Sequence, residues 1–154
     1  RECYKEEMLE SLRFCIRNKG LEVHAWVIMT NHVHLIVSTD KNRISDIVRD
    51  IKKYTSRQII ELITQHPQES RRDWMLNIFS FVGKGNKNNK DYQFWQLNYY
   101  PVELNTSEKS EKRLRYLHDN PVRSGLVWEA WHYKYSSAID YHTNEKGLLD
   151  IEFL

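Results

Sequence analysis

The sequence predicts one α+β domain. Two β-rich runs, Leu21–Met29 and His32–Ser38, meet around Thr30-Asn31 like the arms of a hairpin. Stretches of helical apolar spacing stand on both sides of that pair. A chain of 154 residues with a 40% hydrophobic share suits one substantial core and leaves little for a second.

Each element has its own signal. From about Lys5 to Asn18, Met8, Leu9, Leu12, Cys15 and Ile16 recur at helical spacing, and Asn18-Lys19-Gly20 supplies a stop. The two β-rich runs follow. A long helix starts near Ser45, with Ile44, Ile47, Val48, Ile51, Ile59, Leu62 and Ile63 on its apolar face. Arg49, Lys53 and Arg57 share another face at i, i+4 spacing. Between His66 and Asp91, the residues Trp74, Leu76, Ile78, Phe79 and Phe81 suggest a short packed element. The glycine-, asparagine- and lysine-rich run from Gly83 to Lys90 predicts a mobile loop. Gln93–Leu104 is aromatic and β-like. Thr106 or Ser107 caps a third helix, expected to end at Asn120 because Pro121 disfavours helix in the residue before it. In the tail, Trp128, Trp131, Tyr133 and Tyr135 read as packing onto the domain.

Charge and cysteines narrow the classes. The balance of 23 Lys+Arg against 21 Asp+Glu gives a formal +2, so a nucleic-acid partner must be argued from local clusters. No apolar run approaches the roughly 20 residues of a membrane span, and no signal peptide is visible. Cys3 and Cys15 form neither a zinc spacing nor a disulfide framework, which predicts a cytosolic protein with free thiols.

The chemistry concentrates in Met29-Thr30-Asn31-His32-Val33-His34-Leu35-Ile36-Val37. On a strand, His32 and His34 point to one face about 7 Å apart and could converge on one divalent cation. The same pattern also suits two polar histidines on a solvated face. On the third helix Tyr116 and Asn120 share a face one turn apart, offering a phenol and a hard carbonyl oxygen. That spacing equally suits a packed tyrosine and a helix-terminal asparagine before proline.

Three stretches then carry a resemblance. His32-Val33-His34 is similar to the His-hydrophobic-His motif of HUH endonucleases. Ala25–His34, then Phe94-Trp95-Gln96, then Arg115-Tyr116-Leu117-His118-Asp119-Asn120-Pro121-Val122-Arg123-Ser124-Gly125-Leu126-Val127, resemble the single-tyrosine transposases, in particular the REP-associated tyrosine transposase branch. Ser136-Ser137-Ala138 after Trp131 fits that branch too. The likeness extends from about Tyr4 to Tyr141.

The resemblance implies a ferredoxin-like antiparallel sheet with helices packed on one face, within a single domain over residues 1–154. The histidines would lie on a central strand and Tyr116 on a helix against it. It implies Mg²⁺ or Mn²⁺ on His32, His34 and Asn120, and Tyr116 as the nucleophile in metal-dependent cleavage and strand transfer of single-stranded DNA at hairpin-forming repeats. The product would be a 5′-phosphotyrosine and a free 3′-hydroxyl, the phosphate charge being met by the cation. Family members begin with a strand before the first helix, whereas the sequence here opens at Arg1 almost directly on a helix; either that strand precedes Arg1, or it is absent and a sheet edge is open.

Tyr54, on the long basic helix, is the rival nucleophile; beside the apolar stripe it reads as packing. Candidate DNA contacts are Arg49, Lys52, Lys53 and Arg57 on that helix, and Lys84, Lys87 and Lys90 in the loop. Trp95, with Phe94, Tyr99 and Tyr100, could stack unpaired bases or fill the core. The expected partner is single-stranded or hairpin DNA, not a membrane, bound by a monomer or homodimer in the bacterial cytoplasm and at the nucleoid when engaged. Two other readings remain open: a host-retained hairpin-binding protein that does not cut, and an unrelated metal-dependent hydrolase with no use for Tyr116.

Overall fold

A computed structural model describes residues 1–85, 91–97 and 101–154. Helix α1 (Glu2–Lys19) leads into strands β1 (Leu21–Ile28) and β2 (Val33–Thr39), then α2 (Ile44–Gln65) and α3 (Arg72–Lys84). Helix α4 (Ser107–Arg123), a 3₁₀ turn at Ala130–His132 and the short α5 (Ala138–His142) complete the chain. The expected α+β class holds, with an antiparallel hairpin sheet and helices packed against it.

Gly20 ends α1 in the left-handed region at φ 67°, its N–H bonding back to the Cys15 carbonyl, a stop that lets β1 begin one residue later. Strands β1 and β2 pair from Leu21↔Thr39 to Ile28↔Val33, with a bulge at His24. The core joins Met8, Leu9, Leu12 and Cys15 of α1 to Trp26 and Val27 of β1, Ile47 and Ile51 of α2 and Leu117 of α4. In α2, Ile47, Ile51, Thr55, Ile59 and Ile63 form the buried stripe. Thr55 is fully buried, and its hydroxyl donates to the Ile51 carbonyl at 2.7 Å, so the polar group costs the core little.

The tail pairs with the edge of β1 away from β2. Ile28 N donates to the Tyr135 carbonyl, Ser137 N to Trp26 and Glu152 N to Val23, each at 2.9 Å. That pairing satisfies strand groups that would otherwise invite another chain.

Several local expectations are corrected. Helix α4 does not stop at Asn120 but runs through Pro121 to Arg123. Proline removes the N–H that Leu117's carbonyl would accept, and the Asn120 side-chain amide reaches that carbonyl at 3.4 Å instead. Gln93–Leu104 forms no strand among its described residues. Its aromatic rings pack rather than pair: Phe94 lies against Phe79, and the Trp95 indole N–H donates to Thr55 Oγ at 3.0 Å. The element around Trp74 is a helix whose Trp74 and Phe81 are exposed, not packed. Tyr133 and Tyr135 are buried as expected, whereas Trp128 is 93% exposed. Of the predicted mobile loop, Gly83 and Lys84 belong to the end of α3, and residues 86–90 lie outside the described part.

Candidate active site

The hairpin positions the histidines. Met29 N donates to the His32 carbonyl at 2.9 Å, closing the turn, so His32 stands one residue ahead of β2 rather than within it. His34 is the second residue of β2, paired opposite the fully buried Val27. The two rings still meet, with centroids 5.0 Å apart and planes at 71°.

Helix α4 brings the tyrosine. Thr106 caps it, its hydroxyl accepting from Lys109 N, and α4 packs on both strands. The Tyr116 ring stands 5.8 Å from that of His34, edge to face. Tyr54 and Tyr116 are similarly exposed, 47% and 43%, so exposure does not separate them. Contact does: the Tyr116 ring meets His34 of the histidine pair, and no ring contact joins Tyr54 to that pair among the described residues. Asn120 lies one turn further on, buried, with its amide nitrogen donating to the Tyr116 carbonyl at 2.8 Å. Its carboxamide oxygen is the acceptor left over.

Electrostatics favour a neutral, ligand-ready imidazole at His34. Burial, then the charges of His32 and Arg113, hold His34 below the ordinary histidine range. His32 Nδ1 lies 2.7 Å from Asn31 Oδ1; an amide oxygen only accepts, so Nδ1 carries a proton and Nε2 is the nitrogen left to face a ligand. Among the described residues no three His, Cys, Asp or Glu side chains converge on a metal position. A cation held here would need the two imidazoles and an oxygen of another kind, and Asn120, one turn on from Tyr116, carries such an oxygen. Imidazole suits Mn²⁺ better than the harder Mg²⁺.

Sequence reasoning missed three neighbours. Arg123 holds its guanidinium 5.1 Å from the centre of the Tyr116 ring. Arg113 acts on His34, and Asn31 orients His32. Arg123 was findable, because i+7 from Tyr116 is the same helix face two turns on.

The α2 cations occupy a different setting. Arg49, Lys52 and Lys53 line a groove of about 480 Å³ with Phe94, Trp95 and Gln96. Arg49 is engaged by Asp46 at 2.8 Å and Asp50 at 3.3 Å, and Lys52 reaches the Gln96 carbonyl at 3.4 Å. Lys53 and Arg57 are exposed. Trp95 lines the groove but is partly buried against the core, its N–H spent on Thr55. Lys84 is exposed at the end of α3, while Lys87, Lys90, Tyr99 and Tyr100 fall outside the described residues.

The family model "Transposase IS200 like" matches residues 1–80 of the 154, a stretch that contains both histidines. The chain belongs to the IS200-like transposase family. A solved structure described as the REP-associated tyrosine transposase bound to a REP hairpin is similar in fold, with a TM-score of 0.61 and 18% identity. The likeness covers 97% of this chain and 76% of that one. No curated protein matches the chain. Among the described residues no helix is long and apolar enough to cross a membrane.

Proposed function

We propose that this chain cleaves and rejoins single-stranded DNA at hairpin-forming repeats, with Tyr116 as its nucleophile. The observation that carries the reading is the contact of the Tyr116 ring with His34, beside His32. The Tyr116 oxygen attacks a backbone phosphorus, the 3′ oxygen leaves, and a 5′-phosphotyrosine and a free 3′-hydroxyl result. Attack of a 3′-hydroxyl on that linkage reseals the strand and releases the phenol, so no ATP is consumed.

The chain's own residues prepare this step. Arg123, over the Tyr116 ring, brings positive charge to the place where the phosphate must stand. His32, with Nε2 left to face a ligand, and His34, held neutral, would with the Asn120 oxygen hold Mg²⁺ or Mn²⁺. A cation bound there supplies charge to offset that of the attacked phosphate. The hairpin substrate is supported by the solved neighbour, which is bound to a REP hairpin.

The test is a labelled single-stranded hairpin incubated with Mn²⁺ and run on a denaturing gel. Wild type and Tyr54→Phe should form a covalent adduct, and Tyr116→Phe should not. An adduct surviving in Tyr116→Phe overturns the assignment. Hairpin binding with no adduct in wild type leaves a binding protein.

A further inference from the structure

Tyr116 is held in place by nothing at its own tip. Among the described residues its hydroxyl has no hydrogen-bond partner, and its ring–ring and cation–ring contacts are with His34 and Arg123. Its position is therefore set by where α4 lies on the sheet. Leu114 and Leu117 pack α4 against the core, but apolar contact is non-directional and tolerates rotation of a helix about its axis.

A directional tie exists on the other margin of the helix. His118 is 3% exposed, and its Nε2 lies 2.9 Å from Ser137 Oγ. That hydroxyl is fully buried and already bound to β1: it accepts from Trp26 N at 2.9 Å and lies 3.3 Å from the Trp26 carbonyl. Ser137 N also donates to the Trp26 carbonyl. One serine thus serves as strand partner to β1 and anchor for α4. Tyr116 and His118 stand roughly 200° apart around the helix at about 3.6 residues per turn. The buried Leu117, Asn120 and Pro121 lie between them. Rolling α4 toward or away from β2 would move Tyr116 against His34 and stretch the His118–Ser137 bond at the same time.

We infer that Ser137 and His118 are positioning residues that fix the rotation of α4 and so the place of Tyr116 beside His34. The inference rests on the reading of Tyr116 as nucleophile, and it gives the Ser136-Ser137 pair of the tail a role. A misplacement of about 1 Å at a reacting group can cost on the order of a hundredfold in rate.

The experiment uses the full chain. Histidine-ring NMR signals, with His34 assigned through His34→Gln, report the ring of Tyr116 directly and need no activity. In Ser137→Ala and in His118→Phe the His34 signals should move toward their positions in Tyr116→Leu. The rate of adduct formation should fall about tenfold to a hundredfold, with hairpin affinity unchanged. His118→Gln, whose amide reaches about as far as Nε2, should restore both readouts, and the double variant should be no worse than either single one. If Ser137→Ala does not fold, His118→Phe carries the same test while keeping a ring against Tyr141, whose ring centre lies 5.1 Å from that of His118. Unmoved His34 signals and an unchanged adduct rate in either folded variant overturn the inference. Absence of an adduct from wild type refutes the proposed function instead, and the His34 signals still decide the clamp.

Discussion

Asn120 turns its side-chain amide back onto its own helix, donating to the Tyr116 carbonyl at 2.8 Å and reaching Leu117's at 3.4 Å. This one side chain lets α4 pass through Pro121 and leaves its oxygen as the free end. Asn120→Asp keeps an oxygen but loses the donor, and adds negative charge near a helix C-terminus. It should cost about 1–3 kcal/mol in urea denaturation without metal. Mn²⁺ should recover more of that loss in the variant than it adds to wild type, since a carboxylate binds the cation more strongly. Equal Mn²⁺ effects on both proteins would remove Asn120 from the ligand set.

Cleavage should require Mg²⁺ or Mn²⁺ and vanish with chelator, because the phosphate otherwise faces the phenolate with its full charge. His32→Ala should abolish adduct formation while changing hairpin affinity less than threefold or so, affinity coming mainly from basic side chains elsewhere. Gel-trapped adduct and a binding isotherm on the same preparation measure the two. Undiminished cleavage by His32→Ala would count against a metal role for the pair.

How much of this was legible follows the range of the interactions. The Gly20 stop, the Thr106 cap, the hairpin around Thr30-Asn31 and the approach of His32, His34 and Tyr116 rest on local spacing or on family motifs, and they read correctly. Pro121 misled because the rule against helix before proline omits the neighbouring amide that softens the loss. The aromatic run at Gln93–Leu104 looked like a strand because packing and pairing favour the same residues. Ser137 stood out only as part of a family motif, and what it binds was not legible, since its partners lie 19 and 111 residues away.

Glu69 gives the fold a defined acid sensitivity. Its buried carboxylate accepts from Tyr4 and Arg1 at 2.8 Å and from the Arg71 backbone at 3.2 Å, tying the start of α1 to the α2–α3 connection. Burial alone would raise its pKa, but these donors prevail and bring it down to about 2. Stability from this group is therefore complete above the ordinary value of 4.5 and is lost as pH falls toward 2. Urea midpoints of wild type and Glu69→Gln should differ most at pH 7 and converge as pH drops below 4.5. A gap that stays constant across that range would mean that the hydrogen bonds, not the charge, matter.

The cations of α2 should divide by their partners. Arg49 already faces Asp46 and Asp50, so its charge is largely answered within the protein. Lys53 and Arg57, one turn apart and exposed, have no such ion pair among the described residues. A phosphate contact releases condensed counterions, and losing one lowers the slope of log K against log salt by about 0.7 on a single strand and about 0.9 on a duplex. Lys53→Ala and Arg57→Ala should each show that decrease, and should weaken binding alike for hairpins of different sequence. Arg49→Ala should leave the slope within error. The measurement is hairpin affinity by fluorescence anisotropy at several salt concentrations. A fall in slope for Arg49→Ala as large as for Lys53→Ala would mean that DNA displaces the two aspartates. No fall in any of the three would move the DNA path away from this face of α2.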